Sequence, residues 1–167
     1  MYIQLMKQSQ LDSQKEIVSL PCACANLRRA ARIVSQQYEH KIRPAGIKGT
    51  QFTLLQTLSI AANISQGQLS DLLGIDSTTL TRTLALLRKK SWITAKRGKD
   101  RREIRLALTA EGKRKYQKAL PYWQSAQTEL RRALGEAGWK QIMESTIFAA
   151  AMSRAKPSVP ERNREIS

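Results

Sequence analysis

Three threonines and an arginine cluster in the stretch 78–82 of this chain, at Thr78, Thr79, Thr81 and Arg82. A threonine hydroxyl bonds phosphates or base edges, its methyl packs on the methyl of thymine, and an arginine can donate two hydrogen bonds to guanine O6 and N7. The first turn of a helix adds free N–H groups that attract a phosphate. On the exposed side of a helix, this set of side chains would suit contact with base edges in a DNA major groove.

A basic cluster follows in the stretch 96–102, which reads Lys96-Arg97-Gly98-Lys99-Asp100-Arg101-Arg102. A narrow basic loop suits insertion into a minor groove or contact along its phosphates. We assign that contact to Arg97, Lys99 and Arg101. A carboxylate aimed at DNA would be repelled, so we expect Asp100 to brace the loop by pairing with Arg102 or by bonding loop N–H groups.

Hydrophobic spacing places the first cluster on a helix. Leucines that recur at i, i+4 and i+7 predict a helix over 77–90, with Thr78 and Arg82 on its opposite side and Thr79 and Thr81 on the flanks. These leucines are Leu80, Leu84 and Leu87. A shorter helix over 65–73 and a tight turn precede it, and the turn supplies Asp76 or Ser77 as the N-cap. This order predicts a helix-turn-helix.

The second cluster lies at the tip of a predicted hairpin. Apolar and polar residues alternate over 104–108, which is typical of a half-buried strand. The stretch 93–95 is the natural partner strand, with Gly98 in the connection. The basic cluster therefore becomes a wing beside the helix-turn-helix.

Helical spacing also predicts outer helices on both sides of this unit. The expected helices are 22–41, 50–62, 109–134 and about 139–154. Pro121 should kink the third of them, and Gly135 should end it. The outer helices carry apolar stripes with little in one chain to cover them. Candidates for a subunit interface are Trp123, Trp139, Ile142 and Phe148.

The charge balance predicts a polyanion partner. The 167 residues include 29 Lys+Arg against 13 Asp+Glu, which gives a net charge of +16. Nucleic acid and anionic membrane are the common partners, although basic surfaces also occur in proteins that bind neither. No apolar run approaches the roughly 18 residues of a spanning helix, and no export signal is visible in the stretch 1–14. We therefore expect a cytoplasmic protein that binds nucleic acid and no membrane.

Few residues are suited to catalysis or metal binding. The chain has one histidine, His40, and two cysteines, Cys22 and Cys24, whose spacing suits neither a disulfide framework nor a zinc site. No set of nucleophile, base and acid and no phosphate loop can be assembled. We expect no metal, no cofactor and no enzymatic activity.

The stretch 69–112 resembles the core of the MarR family of bacterial regulators. It reads LSDLLGIDSTTLTRTLALLRKKSWITAKRGKDRREIRLALTAEG. Asp100 and Arg102 match the family's Asp-x-Arg wing motif, and Leu108-Thr109 and Glu111-Gly112 match the family's pattern after the wing. The stretches 22–32, 46–58 and 119–127 resemble flanking helices of the family, so the similarity covers about 14–154. Ser91 replaces the usual glycine after the helix over 77–90, which we call the reader helix, and we expect a slight distortion of the cap at its end.

The resemblance implies a mostly α fold with a small β-hairpin wing (α+β), in which the N- and C-terminal helices interlock in a homodimer. Such a dimer would bind a pseudo-palindromic operator in double-stranded DNA with half-sites about 34 Å apart. We predict a flexible extension over 1–18, a winged domain with dimerisation helices over 19–155 and a disordered tail over 156–167. The DNA-binding lobe would be about 47–108. The implied function is a sequence-specific transcriptional regulator, acting as a repressor.

The signal that would release the protein from DNA stays open. The resemblance implies either a small aromatic or anionic effector, bound between the dimer helices and the DNA lobes, or oxidation of a cysteine early in the first helix. Cys24 has that position, and Arg32 and Tyr38 are candidates to line a pocket.

Two points favour an inert pair of thiols. Cys24 lies on an apolar stripe, where a buried thiol behaves as a small hydrophobe, and Cys22 lies about 200° away on the same helix, so we expect no pairing.

A module that binds nucleoid DNA or RNA without sequence preference remains the alternative to a specific regulator.

Overall fold

The computed structural model describes residues 21–98 and 103–152. The fold is mostly α-helical with a small antiparallel sheet, as the sequence predicts. The elements in chain order are α1 (Ala23–Ile42), a 3-10 turn (Arg43–Ala45), α2 (Gly49–Ile60), β1 (Ile64–Ser65), α3 (Gln66–Leu73), α4 (Ser77–Lys89), β2 (Ile93–Arg97), β3 (Ile104–Leu108) and α5 (Ala110–Met152). The predicted extension over 1–18 and the tail over 156–167 lie outside the described residues. Within the described ranges, no helix combines the length and the hydropathy that a membrane crossing needs.

One hydrophobic core joins α2, α3, α4, the sheet and α5. Its largest fully buried side chains are Phe52, Ile42, Leu54, Leu55, Leu69, Leu80, Leu87 and Leu106. The rings of Tyr116 and Trp123, both from α5, lie 5.5 and 5.7 Å from the ring of Phe52. Trp123, predicted as a candidate for a subunit interface, therefore packs within its own chain and anchors the long helix on the core.

The sheet contains a third strand, β1, that the sequence does not predict. β3 is the central strand, with β1 on one side and β2 on the other. Ile64 in β1 lies opposite Leu106 in β3. A strand of two residues is too short to show an alternating pattern, so it is recognisable only from its pairing. The alternation predicted for β3 holds in part, because Leu106 is buried whereas Ile104 is 42% exposed.

The C-terminus of α4 ends in a Schellman cap. The N–H of Trp92 bonds the Leu87 carbonyl at 3.0 Å, and the N–H of Ser91 bonds the Arg88 carbonyl at 2.8 Å. Ser91 has the left-handed φ of 56° that this cap requires. Both capping bonds form although glycine is absent. The serine therefore destabilises the fold only through its strained, positive φ.

α5 starts at a threonine cap and is interrupted at a glycine. The Thr109 hydroxyl accepts a hydrogen bond from the Gly112 N–H at 2.9 Å and donates one to the Ser91 carbonyl at 2.6 Å. Gly135 has non-helical φ and ψ of 66° and 170°, which confirms the predicted break. The backbone is helical at Pro121, so the interruption is at the glycine and not at the proline.

α1 packs along α5 but buries few of its apolar side chains within one chain. Ile42, its last residue, is its one buried side chain. Leu27 and Ile33 are 56% and 48% exposed. A helix of this length with one buried residue leaves much of its apolar surface uncovered in the monomer, although most helical stability comes from tertiary packing. The outer surface of α1 is therefore suited to a partner.

Candidate nucleic-acid interface

α4 divides its side chains between a buried face and an exposed face. Leu80 and Leu87 are fully buried and Leu84 is 3% exposed, as predicted. The four predicted base-reading residues, Thr78, Thr79, Thr81 and Arg82, are all exposed. The Arg82 guanidinium makes no hydrogen bond or ion pair to a residue within 21–98 or 103–152, so it is available to an outside partner.

Asp76 orders the N-terminus of α4. Its carboxylate accepts a hydrogen bond from the Thr79 N–H at 2.8 Å. The pKa of Asp76 lies below its usual value, because the Thr79 hydroxyl and the Thr79 N–H both donate to the carboxylate. Gly74 turns the chain with a φ of 60°, and the Ser70 hydroxyl donates to the Ile75 carbonyl at 2.6 Å. The turn and the cap together fix the direction of α4 relative to α3.

A side-chain hydrogen bond crosses from α3 to α4. The amide Nε2 of Gln66, the first residue of α3, donates to the Thr81 hydroxyl at 2.8 Å. Sequence reasoning missed Gln66, because no local pattern tells which residue of α3 faces the reader helix across the turn. The bond brings a second element to one of the predicted base-reading residues.

The structure describes the base of the basic wing. The Gly98 N–H bonds the Glu103 carbonyl at 2.7 Å and closes the end of the paired strands. Arg97 ends β2 with an exposed side chain, as its predicted role requires. The other predicted wing residues, Lys99, Asp100, Arg101 and Arg102, lie outside the described residues, so their roles stay predictions.

One basic residue next to the wing is bonded to groups of its own chain. Arg105 in β3 pairs with Glu103 at 3.0 Å and donates to the Asn63 carbonyl at 2.9 Å. These bonds tie the wing to the loop before β1. Arg105 therefore orients the wing, and Arg97 has the exposed position suited to DNA.

Two lysines pack on Trp92, just beyond the end of α4. Nζ of Lys90 and Nζ of Lys115 lie 4.6 and 5.1 Å from the centre of its ring. Lys115 also donates to the Ala45 carbonyl at 2.8 Å. Desolvation, with smaller effects from the charges of Lys118 and Lys90, lowers the pKa of Lys115. Through these contacts α5 holds both the 3-10 turn and the end of the reader helix.

A cavity of about 400 Å³ lies between α1, α2 and α5. Its volume is in the range of small-molecule sites. Val34, Phe52 and Trp123 supply apolar walls, and Tyr38 and Gln127 supply polar groups. The Tyr38 hydroxyl donates to the Gln127 side-chain oxygen, and burial raises the pKa of Tyr38.

The three residues predicted for a signal site do not come together. Tyr38 lines the cavity, whereas Cys24 and Arg32 are exposed and do not line it. A helix rises about 1.5 Å per residue, which puts Cys24 about 21 Å from Tyr38 along α1. Cys24 is exposed in the single chain and not buried on an apolar stripe. Cys22 is the N-cap, with an extended backbone (φ −117°, ψ 114°), so the helical angle expected between the thiols does not apply.

Residues 45–103 match a sequence model of the MarR family. The matched segment runs from the 3-10 turn through the helix-turn-helix to the start of β3. The chain is also 26% identical over 91 residues to the uncharacterised HTH-type transcriptional regulator YwoH of Bacillus subtilis. That alignment spans 54% of this chain and 66% of YwoH, just under two thirds of that protein.

Solved structures extend the similarity to the outer helices. The M. tuberculosis transcriptional regulator MosR in complex with DNA is 34% identical, with 80% of this chain and 97% of that chain covered and a TM-score of 0.72. CouR from Rhodococcus jostii RHA1, bound to p-coumaroyl-CoA, has the same fold at 16% identity, with 78% and 92% of the chains covered and a TM-score of 0.67. The likeness to MosR therefore includes the helices on both sides of the winged unit.

Proposed function

The chain belongs to the MarR family of transcriptional regulators, and we propose that it binds a pseudo-palindromic operator as a homodimer and represses transcription until a signal releases it. The exposed face of α4 is the observation that carries this proposal. This face carries the exposed side chains of Thr78, Thr81 and Arg82, and the opposite face of the helix is buried in the core. Binding and release of DNA, and not catalysis, are the proposed activity.

The basic wing and the net charge support a grip on the DNA backbone. Arg97 is exposed beside the reader helix, and the chain carries a net charge of +16. Basic side chains that neutralise phosphates release counterions, so the affinity should fall steeply with salt. Arg97, Lys99 and Arg101 are the proposed wing contacts, with Asp100 and Arg102 as their brace.

Exposed apolar side chains on the outer helices support the homodimer. Ile147 and Phe148 in the last turns of α5 are 65% and 68% exposed, and Leu27 on α1 is 56% exposed. Full burial of such a side chain is worth about 1.5–3 kcal/mol. A two-fold axis would cover both outer helices at once and separate the two reader helices by about 34 Å. The lobe of about 47–108 then contacts DNA while the outer helices form the dimer.

The cavity beside Tyr38 supports release by a small aromatic or anionic effector. It is bordered by α1 and α5, which form the proposed dimer, and by α2 of the DNA-binding lobe. A ligand that prefers one angle between these elements shifts the protein toward that angle. The rings of Phe52 and Trp123 suit an aromatic ligand, and the Tyr38 hydroxyl and the Gln127 amide suit its polar group.

Filling the cavity tests this site. A panel of small aromatic acids, beginning with 4-hydroxybenzoate, is titrated into the complex of the protein with its operator. Val34→Trp should keep DNA binding and lose release, while Ile60→Trp, at a position 81% exposed and away from the cavity, should keep both. If the aromatic acids release both variants from the operator equally, the cavity is not the effector site.

Redox control through Cys24 is the second candidate signal. The observation in its favour is the exposure of the Cys22 and Cys24 thiols in the single chain. A hydroperoxide would transfer one oxygen to the Cys24 thiolate, which leaves a sulfenic acid on the protein and releases the alcohol. The Cys24→Ser variant should then stay on DNA when cumene hydroperoxide is added, whereas Cys22→Ser should still be released.

Selection of bound fragments from genomic DNA tests the function as a whole. The protein should retain one inverted-repeat sequence with nanomolar affinity at moderate salt, well above random duplex. If the affinities for the selected sequence and for random DNA are nearly equal, the result favours the alternative, a module that binds nucleoid DNA or RNA without sequence preference. A parallel selection with oxidant reads out the redox candidate in the same experiment.

A further inference from the structure

We propose that Gln66 is a positioning residue for base recognition, which sets the hydrogen-bonding state of Thr81 at the DNA interface. This inference rests on the function proposed above. Gln66 Nε2 donates to Thr81 Oγ1 at 2.8 Å. In the described part of the chain, this is the one hydrogen bond between a side chain of α3 and a side chain of α4.

The bond limits what the Thr81 hydroxyl offers to DNA. A hydroxyl has one proton to donate and two lone pairs that accept. One lone pair is occupied by the Gln66 amide, and no described residue accepts the hydroxyl proton, which leaves that proton for an outside acceptor. Acceptors on base edges in the major groove are guanine O6 and N7, adenine N7 and thymine O4. Thr81 is thereby prepared to donate to one of them.

Several other helical threonines donate their hydroxyl proton to a backbone carbonyl of their own helix. Thr83, two residues further along α4, donates to the Thr79 carbonyl at 3.0 Å. Thr53 and Thr57 in α2 donate in the same way to carbonyls four residues earlier, at 3.1 and 2.9 Å. Among the described residues, Thr81 makes no such bond to its own helix. Its oxygen is instead paired with the Gln66 amide, in contrast to the backbone bond of Thr83 on the same helix.

Gln66 is itself held in place by its neighbours. The Ser65 hydroxyl accepts from the Gln68 N–H at 3.1 Å, and the Gln68 side-chain oxygen accepts from the Ser65 N–H at 3.0 Å. This reciprocal capping box fixes the first turn of α3. Ser65 is also paired with Arg105 in the sheet. The backbone of Gln66 is therefore fixed on both sides, and its side chain reaches Thr81 from a rigid base.

A double-mutant cycle on DNA binding tests the inference. Gln66→Met keeps the length of the side chain without a donor, and Thr81→Val keeps the shape of the threonine without a hydroxyl. Gln66→Met should lower the affinity for the preferred operator about fivefold, the worth of one net hydrogen bond. It should relax the preference at one base pair per half-site, the same pair that Thr81→Val relaxes. The double variant should bind no more weakly than Thr81→Val.

Two control variants distinguish a positioning role of Gln66 from a direct contact with DNA. Thr81→Ser retains the hydroxyl and should retain the base preference, and Gln124→Met, at an exposed position on α5, should change nothing. Gln66→Met could instead lower the affinity for every DNA sequence equally, or its loss of affinity could add to that of Thr81→Val in the double variant. In either case Gln66 is an independent contact, and the inference fails while the proposed function stands. If the unmodified protein prefers no sequence, both fail.

Discussion

Gly112 in α5 packs so closely on the backbone of Trp92 that a Cβ at position 112 would lie 1.9 Å from the Trp92 carbonyl oxygen. The same carbonyl accepts a hydrogen bond from the Thr109 N–H at 3.1 Å. The start of the long helix is thereby fixed to a residue just beyond the end of α4. Position 112 requires glycine because of space, and not because of an unusual backbone conformation.

Gly112→Ala should destabilise the protein by about 2–3 kcal/mol, because the new methyl group forces α5 away from Trp92. Urea denaturation followed by circular dichroism measures the loss. Gly138→Ala is the matched control, since its Cβ would lie an ordinary 3.4 Å from the Leu134 Cβ. Alanine is the better helix former, so this control should be neutral or stabilised by up to about 1 kcal/mol. Equal stability of the two variants would contradict the close packing.

Ser91→Gly should stabilise the protein by about 1 kcal/mol. Ser91 has a φ of 56°, where its Cβ is strained and glycine is not. The capping bonds involve only its backbone, so they remain. Ser91→Ala keeps a Cβ and should leave the unfolding midpoint nearly unchanged. A gain in stability with alanine as large as with glycine would show that the strain lies elsewhere.

The stabilising effect of Asp76 should disappear in acid. Its pKa is lowered in the folded protein, so the carboxylate stabilises the fold above its unfolded pKa, and this effect is lost as the pH falls through the lower, folded pKa. Asp76→Ala should lower the melting temperature near pH 7, and the difference should shrink below about pH 4. Asp76→Asn keeps an acceptor for the Thr79 N–H without a titrating charge. A melting difference between wild type and Asp76→Ala that stays constant down to the acid range would argue against the cap.

Arg82 and Arg97 should differ in what they contribute to DNA binding. Arg82→Ala should weaken binding to the preferred operator by about 1–3 kcal/mol and relax the choice of one base pair. Arg97→Ala, like Arg101→Ala, should weaken binding to all sequences equally and reduce the salt slope by about one. Fluorescence anisotropy at several salt concentrations measures both, with Arg132→Ala on α5 as the exposed control. If Arg82→Ala lowers the affinity for all sequences equally, Arg82 contacts the DNA phosphates and not a base.

Local patterns predicted most of the winged unit. The leucine spacing of α4, the cap at Asp76 and the alternation around Leu106 act over a few residues, so their consequences can be derived from the chain. β1 was missed because its two residues show no pattern without their partner strand. The spacing of Cys24 and Leu27 predicts a buried stripe, whereas both side chains are exposed in the described part of the single chain, because local spacing does not tell what covers a helix face.

The sequence by itself determined which side chains of α4 are buried and which are exposed, since the helical period divides them without reference to distant parts of the chain. Tertiary structure alone decided which distant groups support them. Gln66 meets Thr81 across a turn, and Gly112 meets Trp92 across the wing. Tyr38 meets Gln127 across 89 residues at the cavity. Such contacts arise from how the helices pack, and packing depends on all core side chains together, so no local spacing encodes them.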